Sequence, residues 1–431
     1  MRIAIIGTGI SGLTVAHYLH RQHDLTLFEA ADYVGGHTNT VEVDDPAGAV
    51  AVDTGFIVFN EAAYPNFCRL LDELGVRSKP SSMSFAVSCR RTGVEYAGNS
   101  LNSLFCQRAN LLRPWFHRMI FEILRFNRTG RRRLTAGAVH GTLGAYLREG
   151  GYSRRFIDYY IVPMGAAIWS ADPSTFLDTP AQFFLQFFAN HGMLAEFERP
   201  TWRVIEGGSK RYVEKLIAPF RGKIRLNTPV RMIRRTAASA IVETRESTES
   251  FDRVVIAVHG DQALRMLADP TAAEREVLGA VRYQPNRTLL HTDRSQMPGR
   301  RLAWSSWNYR IPQSESRSVR ATYYMNMLQG LRAHRDYFVT LTPDETEIDE
   351  RARLRAFDYE HPTFTPRSVA AQARRGEISG HHRTHYCGAY WGYGFHEDGV
   401  RSGLEVVREF SDRTEYPRLL LPRNRRQLVQ A

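Results

Sequence analysis

"MRIAIIGTGISGLTVAHYL", residues 1–19, decides the fold. Residues 2–6 are an apolar run with three isoleucines, the pattern of a strand buried on both faces of a parallel sheet. Gly7, Gly9 and Gly12 follow in G-x-G-x-x-G spacing, with Ile10 and Ser11 inside the turn, and a helix-like stretch (Leu13, Ala16, Tyr18, Leu19) comes next. The first glycine permits a tight turn. The second lets backbone approach a pyrophosphate, and the third lets the helix pack on the strand with its N-terminus toward the phosphates. A second strand, "LTLFE", ends at Glu29, seventeen residues after Gly12 and just before Ala30. A carboxylate there can accept hydrogen bonds from an adenosine ribose. Strand, turn, helix, strand and acid in this order predict a dinucleotide-binding α/β unit.

The next stretch selects the dinucleotide. "AADYVGGHTNTVEVDDPAGAVAVDTGFIVFN", residues 30–60, places a glycine pair just past the acid, then two strands, 39–43 and 49–53, around the turn "DDPAG". Paired glycines, a hairpin and "DTGF" resemble the flavoprotein superfamily of amine oxidases, phytoene desaturases and protoporphyrinogen oxidases. The resemblance implies non-covalent FAD. Gly35, Gly36, His37 and Thr38 would lie by its pyrophosphate, and Gly55, Phe56 and Ile57 by its isoalloxazine. His37 stands where that superfamily usually has arginine, which removes an expected arginine–phosphate contact.

The resemblance continues in order along the chain. "WRVIEGGSKRYVEKLIAPF", 202–220, carries a Gly-Gly turn into a helix, and "KIRLNTPVRMIRR", 223–235, reads as a strand in which the Val230 backbone would contact the adenine. "FDRVVIAVHGDQALRML", 251–267, reads as a buried strand into a helix. "HYCGAYWGYGFHEDGVRSGLEVVREF", 385–410, is similar to the last FAD-binding segment, with Gly388 in its loop and a final helix opened by Asp398, Gly399 and Val400. Amides at that helix start would face the flavin. The closer strings "GGHTNT", "PMGAAIWS", "SWNYRIP", "TYYMNMLQGL", "HPTFTP" and "GYGFHEDGVRSG" resemble a bacterial flavoprotein branch that is associated with fatty-acyl methyltransferases and includes the furan fatty acid desaturase.

The implied architecture is α/β and amine-oxidase-like. A discontinuous Rossmann-like FAD domain (1–75, 200–272, 380–431) would carry a second, α+β substrate domain (76–199, 273–379). A hairpin at 84–89 and 93–97 would open the latter. The 431 residues, 43% hydrophobic, suffice for one large or two ordinary cores. The four cysteines are scattered with no C-x-x-C pair, which suggests neither a disulfide frame nor a zinc site and fits a reducing compartment. Histidines 381–385 show no metal spacing, so no metal is expected. The first strand begins at residue 2, leaving no room for a signal peptide, and no apolar window spans a bilayer. The expected location is cytoplasmic, with the inner membrane face an option. The net charge of +12 suits an anionic partner or surface.

Residues 110–133 read as a helix with Leu112, Trp115, Phe116, Met119, Ile123 and Phe126 on one face and His117, Arg118, Arg125 and Arg128 on the other. A core helix with a solvated basic face is one reading. Peripheral contact with anionic lipid is the other. Nucleic acid is not an expected partner, since no nucleic-acid fold accompanies the arginines. Trp169, Phe184, Tyr323 and Tyr393 are candidates for an apolar substrate wall as well as for core.

Flavin supplies the redox chemistry, and a desaturation also needs a proton acceptor. His396 and then Glu397 are the candidates. Three functions stay open: an FAD-dependent desaturase or oxidase of a lipid acyl chain; an amine oxidase, which usually has a lysine near the flavin; and a non-redox flavoprotein, either an isomerase or a partner of a methyltransferase. Lys79, Lys210, Lys215 and Lys223 are the four lysines of the chain, and none falls in a segment expected beside the flavin N5.

Overall fold

The structure is a computed structural model describing residues 1–195, 200–313, 320–341, 345–410 and 417–422. The ends of two expected segments, 196–199 and 423–431, lie outside the described residues. Strand Arg2–Ile6 sits at the centre of a five-stranded parallel sheet ordered Ile224–Arg225, Asp24–Phe28, Arg2–Ile6, Arg253–Ile256, Thr384–Tyr386. Ile3, Ala4 and Ile5 are wholly buried, as a strand covered on both faces requires. The strands of this sheet come from three separated stretches of chain, and parallel pairing needs the crossovers that separate them.

The glycine turn is forced by close contacts. Gly7 has φ +97°, and a Cβ there would stand 2.9 Å from the Ala257 carbonyl. A Cβ on Gly12 would stand 2.2 Å from the Gly7 carbonyl, so only glycine lets helix Ile10–Leu19 settle on its strand. Helix His396–Glu409 packs across that helix at a second close approach. A Cβ on Gly399 would lie 2.6 Å from Ile10 Cγ2, and one on Gly403 2.8 Å from the Ser11 carbonyl.

The expected hairpin forms as Thr40–Asp45 paired with Gly48–Asp53. The segment 223–235 divides rather than forming one strand. Ile224–Arg225 joins the parallel sheet, and Met232–Arg235 joins an antiparallel sheet with Ala240–Glu243 and Thr248–Phe251. Asn227 at φ +52° and Pro229 break it.

A seven-stranded sheet runs Arg353–Thr363, Arg282–His291, Phe338–Leu341, Ala321–Tyr324, Trp307–Ile311, Phe85–Cys89, Glu95–Ala97. It includes the expected hairpin near residues 84–97. Helices Pro114–Thr135, Val162–Trp169 and Ala181–Asn190 build an aromatic core beside it. Phe116, Met119 and Phe126 of the first are fully buried, and Trp115 and Ile123 pack against them. Leu112 departs from the expected face. It is 88% exposed and lies in the 3-10 turn Arg108–Leu112 before the helix. Among the described residues no helix is long and apolar enough to cross a membrane.

Candidate active site

A cavity of about 1410 Å³ runs from the glycine turn to helix Pro114–Thr135. It is larger than the ~300–1,000 Å³ of an ordinary ligand pocket, and its two halves differ in chemistry.

The first half is polar and rich in backbone. Gly7, Gly9, Ile10, Ser11, Glu29, Ala30, Gly35, Gly36, His37, Gly55, Phe56, Ile57, Val230 and Gly388 all line the cavity. Gly12, Thr38, Gly399 and Val400 do not. Gly12 and Gly399 are the close helix contacts described above, Thr38 is 1% exposed, and Val400 is in the core. Glu29 accepts from the Thr8 amide (3.0 Å), the Thr8 hydroxyl and the Ala31 amide (2.9 Å), which fixes its carboxylate at the end of strand Asp24–Phe28.

This half fits a flavin dinucleotide. The space above Gly9 is open for 4 Å around a hypothetical Cβ, which leaves backbone accessible to a pyrophosphate. In place of a fixed cation three imidazoles converge. His37 lies 5.2 Å from His361 and 6.3 Å from His259 by ring centroid, and stacks on Tyr359 at 5.0 Å. His37 lines the cavity, and its buried Nε2 has no hydrogen-bond partner among the described residues. Burial, and then the neighbouring imidazoles, depress His37 to about 4 and His361 to about 3; burial holds His259 at about 4.

The second half is apolar. Met83, Phe85, Tyr96, Leu104, Ile120, Ile123, Leu124, Met164, Ile168, Trp307 and Tyr323 line it. Among the described residues, the only carboxylate, lysine or arginine side chains on the cavity wall are those of Glu29 and Glu360. Trp169 and Tyr393 also line the cavity, and the Trp169 indole donates to the Tyr393 carbonyl at 3.0 Å. Phe184 does not reach it. That ring is fully buried against Phe188 at 4.2 Å and Phe176 at 5.8 Å.

The two expected proton acceptors are held away from the apolar half. Helix His396–Glu409 begins two residues earlier than the sequence suggests, so both sit in its first turn. Asp398 closes the start by accepting from the Phe395 amide at 3.1 Å. His396 lines the cavity, but its ring stacks on Phe56 and its Nε2 is 2.9 Å from Thr38 Oγ1 and 3.0 Å from the Tyr212 hydroxyl. Burial pushes its pKa well below the usual histidine value. Glu397 does not line the cavity. It accepts from the Asn66 amide (3.1 Å) and Phe67 amide (3.0 Å), clamping the start of helix Pro65–Glu73, and burial raises its pKa to about 7.

The residue on the apolar side is Phe395, whose ring packs 5.0 Å from Phe187 and 6.0 Å from His191. His191 lines the cavity and is 7% exposed. Its Nδ1 lies 2.9 Å from the Phe187 carbonyl, which can only accept. The proton therefore sits on Nδ1 and leaves Nε2 a bare acceptor. Burial lowers its pKa to about 4, keeping the ring neutral. The sequence reading passed over His191 because it ends a phenylalanine-rich helix and no motif marks it.

A glycine turn on a parallel sheet, a dinucleotide-shaped polar cleft and an adjoining apolar chamber define a flavin-dependent oxidoreductase of the amine oxidase fold. The family model "Flavin containing amine oxidoreductase" matches residues 10–292, and the chain belongs to that family; FAD is its cofactor. Cyclohexylamine oxidase from Brevibacterium oxydans IH-35A shares the fold at 15% identity, covering 94% of this chain and 97% of its own, TM-score 0.67. A protein described as a candidate protoporphyrinogen oxidase from Exiguobacterium sp. 255-15 aligns at 17% identity, 95% and 98% coverage, TM-score 0.67. A CLA-producing fatty acid isomerase from P. acnes aligns at 16%, 95% and 99%, TM-score 0.64. A comparison with curated protein sequences finds no match.

Proposed function

We propose that this flavoprotein desaturates an unsaturated fatty acyl chain of a lipid, with a methyl-branched or otherwise modified chain the best candidate. The observation that carries the reading is the apolar half of the cavity, whose wall holds no Lys, Arg, Asp or Glu among the described residues. A hydrocarbon chain gains from that burial, at roughly 0.8 kcal/mol per CH₂. A charged headgroup has no counter-ion there.

FAD supplies a two-electron acceptor for a hydride. The chain supplies orientation, dryness and a proton acceptor. Trp169, Phe187, Tyr393 and Phe395 wall the region where the two halves meet. His191 Nε2 takes a proton from the carbon next to the allylic C–H that leaves as hydride, so that a new C=C forms and a conjugated diene results. Repeated turnover would require an external two-electron acceptor. Methyl-transfer chemistry acting on the acyl chain beforehand would supply a branched substrate.

The amine reading has less support, since none of the four lysines lines the cavity. A fatty acid isomerase has this fold, and an isomerase reading differs by leaving substrate mass unchanged. Single-turnover product analysis under anaerobic conditions tests the proposal. The expected product has lost two hydrogens and gained diene absorbance. An isomer of equal mass would overturn it.

A further inference from the structure

The cavity reaches the surface at a place where apolar and basic side chains concentrate. Leu124 both lines the cavity and is 54% exposed, so the chamber opens beside it. Ile120 and Ile123 of the same helix, and Leu104 of the preceding segment, line the wall just inside. Around this mouth the usual burial rule fails. Eleven large apolar side chains are exposed among the described residues, and five of them, Leu101, Leu111, Leu112, Phe121 and Leu124, fall between 101 and 124. Scattered exposed leucines need no explanation, but a cluster does. Phe105 packs 5.8 Å from His117, holding the 101–112 segment against the start of the helix.

On helix Pro114–Thr135, Phe121, Leu124, Arg128 and Arg131 fall on one face by their i, i+3, i+4 spacing. Phe121, Leu124, Arg128 and Arg131 are all exposed. Across 101–135 there are eight arginines and one acidic residue, Glu122. Glu122 is 3% exposed and accepts from the Ser153 amide at 3.1 Å and from Arg118 Nε at 3.2 Å. Arg133, at the far end of the helix, pairs with Glu149 at 3.0 Å, while the exposed Phe121, Leu124, Arg128 and Arg131 face is apolar and cationic with no exposed acid in its own segment. That combination suits a bilayer carrying anionic headgroups: the arginines reach phosphates while Leu and Phe enter the acyl boundary.

We infer that the Leu101–Arg131 face docks on an anionic bilayer, with the cavity mouth at Leu124 against the acyl region, so that the acyl chain passes from bilayer to chamber without crossing water. The purpose of this docking rests on the acyl-chain reading above; the docking itself does not depend on turnover. It also explains why Phe121 and the four leucines of this face are left outside, since a chain extracted through water would lose its burial free energy on the way.

The test uses FAD-loaded protein with phosphatidylglycerol and phosphatidylcholine vesicles, read by sedimentation. Wild type is expected to bind phosphatidylglycerol vesicles, less so at high salt, and phosphatidylcholine weakly. Leu112→Ser with Phe121→Ser should weaken binding roughly tenfold or more. Arg128→Glu with Arg131→Glu should abolish the preference for anionic lipid. None of these four lines the cavity, so both variants should keep bound FAD and their bleaching rate with detergent-dispersed lipid, and lose bleaching by vesicle-embedded lipid. Failure of wild type to sediment with phosphatidylglycerol vesicles, or unchanged sedimentation of both variants, would overturn the docking. Vesicle binding without bleaching by any acyl lipid, dispersed or embedded, would leave the docking standing and remove the acyl-chain reading instead.

Discussion

The imidazole of His396 lies flat on the Phe56 ring, centroids 3.5 Å apart and planes 13° apart. Phe67 meets the same imidazole edge-on at 5.6 Å, and Thr38 and Tyr212 take its Nε2. His396 thus joins the last helix to the "DTGF" segment and to the glycine-pair segment. His396→Ala should cost about 2–4 kcal/mol of stability by leaving a cavity and by taking one partner from the Thr38 and Tyr212 hydroxyls, which also bond each other. It should also lower FAD retention, read as flavin absorbance per protein after dialysis. Wild-type melting and retention with slow flavin reduction would instead restore His396 as proton acceptor.

His191→Gln keeps a polar side chain of similar reach but removes the base. Anaerobic flavin bleaching by lipid should slow by about 10²–10⁴-fold, with FAD content unchanged. Because burial holds His191 near 4, it remains an acceptor throughout the neutral range. The acid limb of the wild-type rate should lie near pH 4 rather than at the ordinary histidine value. A limb near 6.5 that vanishes in His191→Gln would contradict the assigned environment.

Glu29→Ala should weaken FAD binding by about 1–3 kcal/mol through lost ribose hydrogen bonds. The Thr8 and Ala31 amides that Glu29 now satisfies would lose their partner as well. Titration of apoprotein with FAD, followed by flavin fluorescence, measures this. Equal affinity would place the ribose elsewhere.

Acid should destabilise the fold through its neutral buried histidines. His191 and His291 are depressed to about 4 and His396 well below its usual value. The unfolded chain protonates each near 6.5, so stability is intact above that value and is lost as pH falls from 6.5 toward 4, at roughly 1.4 kcal/mol per pH unit for each group. Melting temperature of the apoprotein should be flat from pH 8 to about 7 and then fall. Added FAD should soften the fall, because an anion beside His37, His259 and His361 favours their protonated forms. Identical acid profiles with and without FAD would show that the three imidazoles do not face the pyrophosphate.

The glycine turn, the acid at Glu29, the hairpin and the closing glycine segment were legible in sequence because each is a backbone requirement tied to local spacing. Gly7 and Gly12 could be read from a string, since a Cβ there meets the turn itself or the strand beside it. Side-chain direction was not legible. His396 and Glu397 are adjacent in the motif, yet one turns to Phe56 and the other to the Asn66 amide. Only the position of helix Pro65–Glu73, some 330 residues earlier, decides that. Phe184 and Phe187 lie three apart on one helix, but only Phe187 reaches the cavity. Likewise Phe121 and Leu124 escaped notice because the buried face of their helix already supplied an apolar stripe.

Desaturation requires an apolar substrate to reach the cofactor, which anaerobic bleaching of the FAD-loaded protein measures. Vesicle-embedded or detergent-dispersed unsaturated acyl lipid should bleach the flavin in a single turnover, while primary amines of matched length should leave it yellow. Bleaching by amines with no response to any acyl lipid would contradict an acyl-chain substrate.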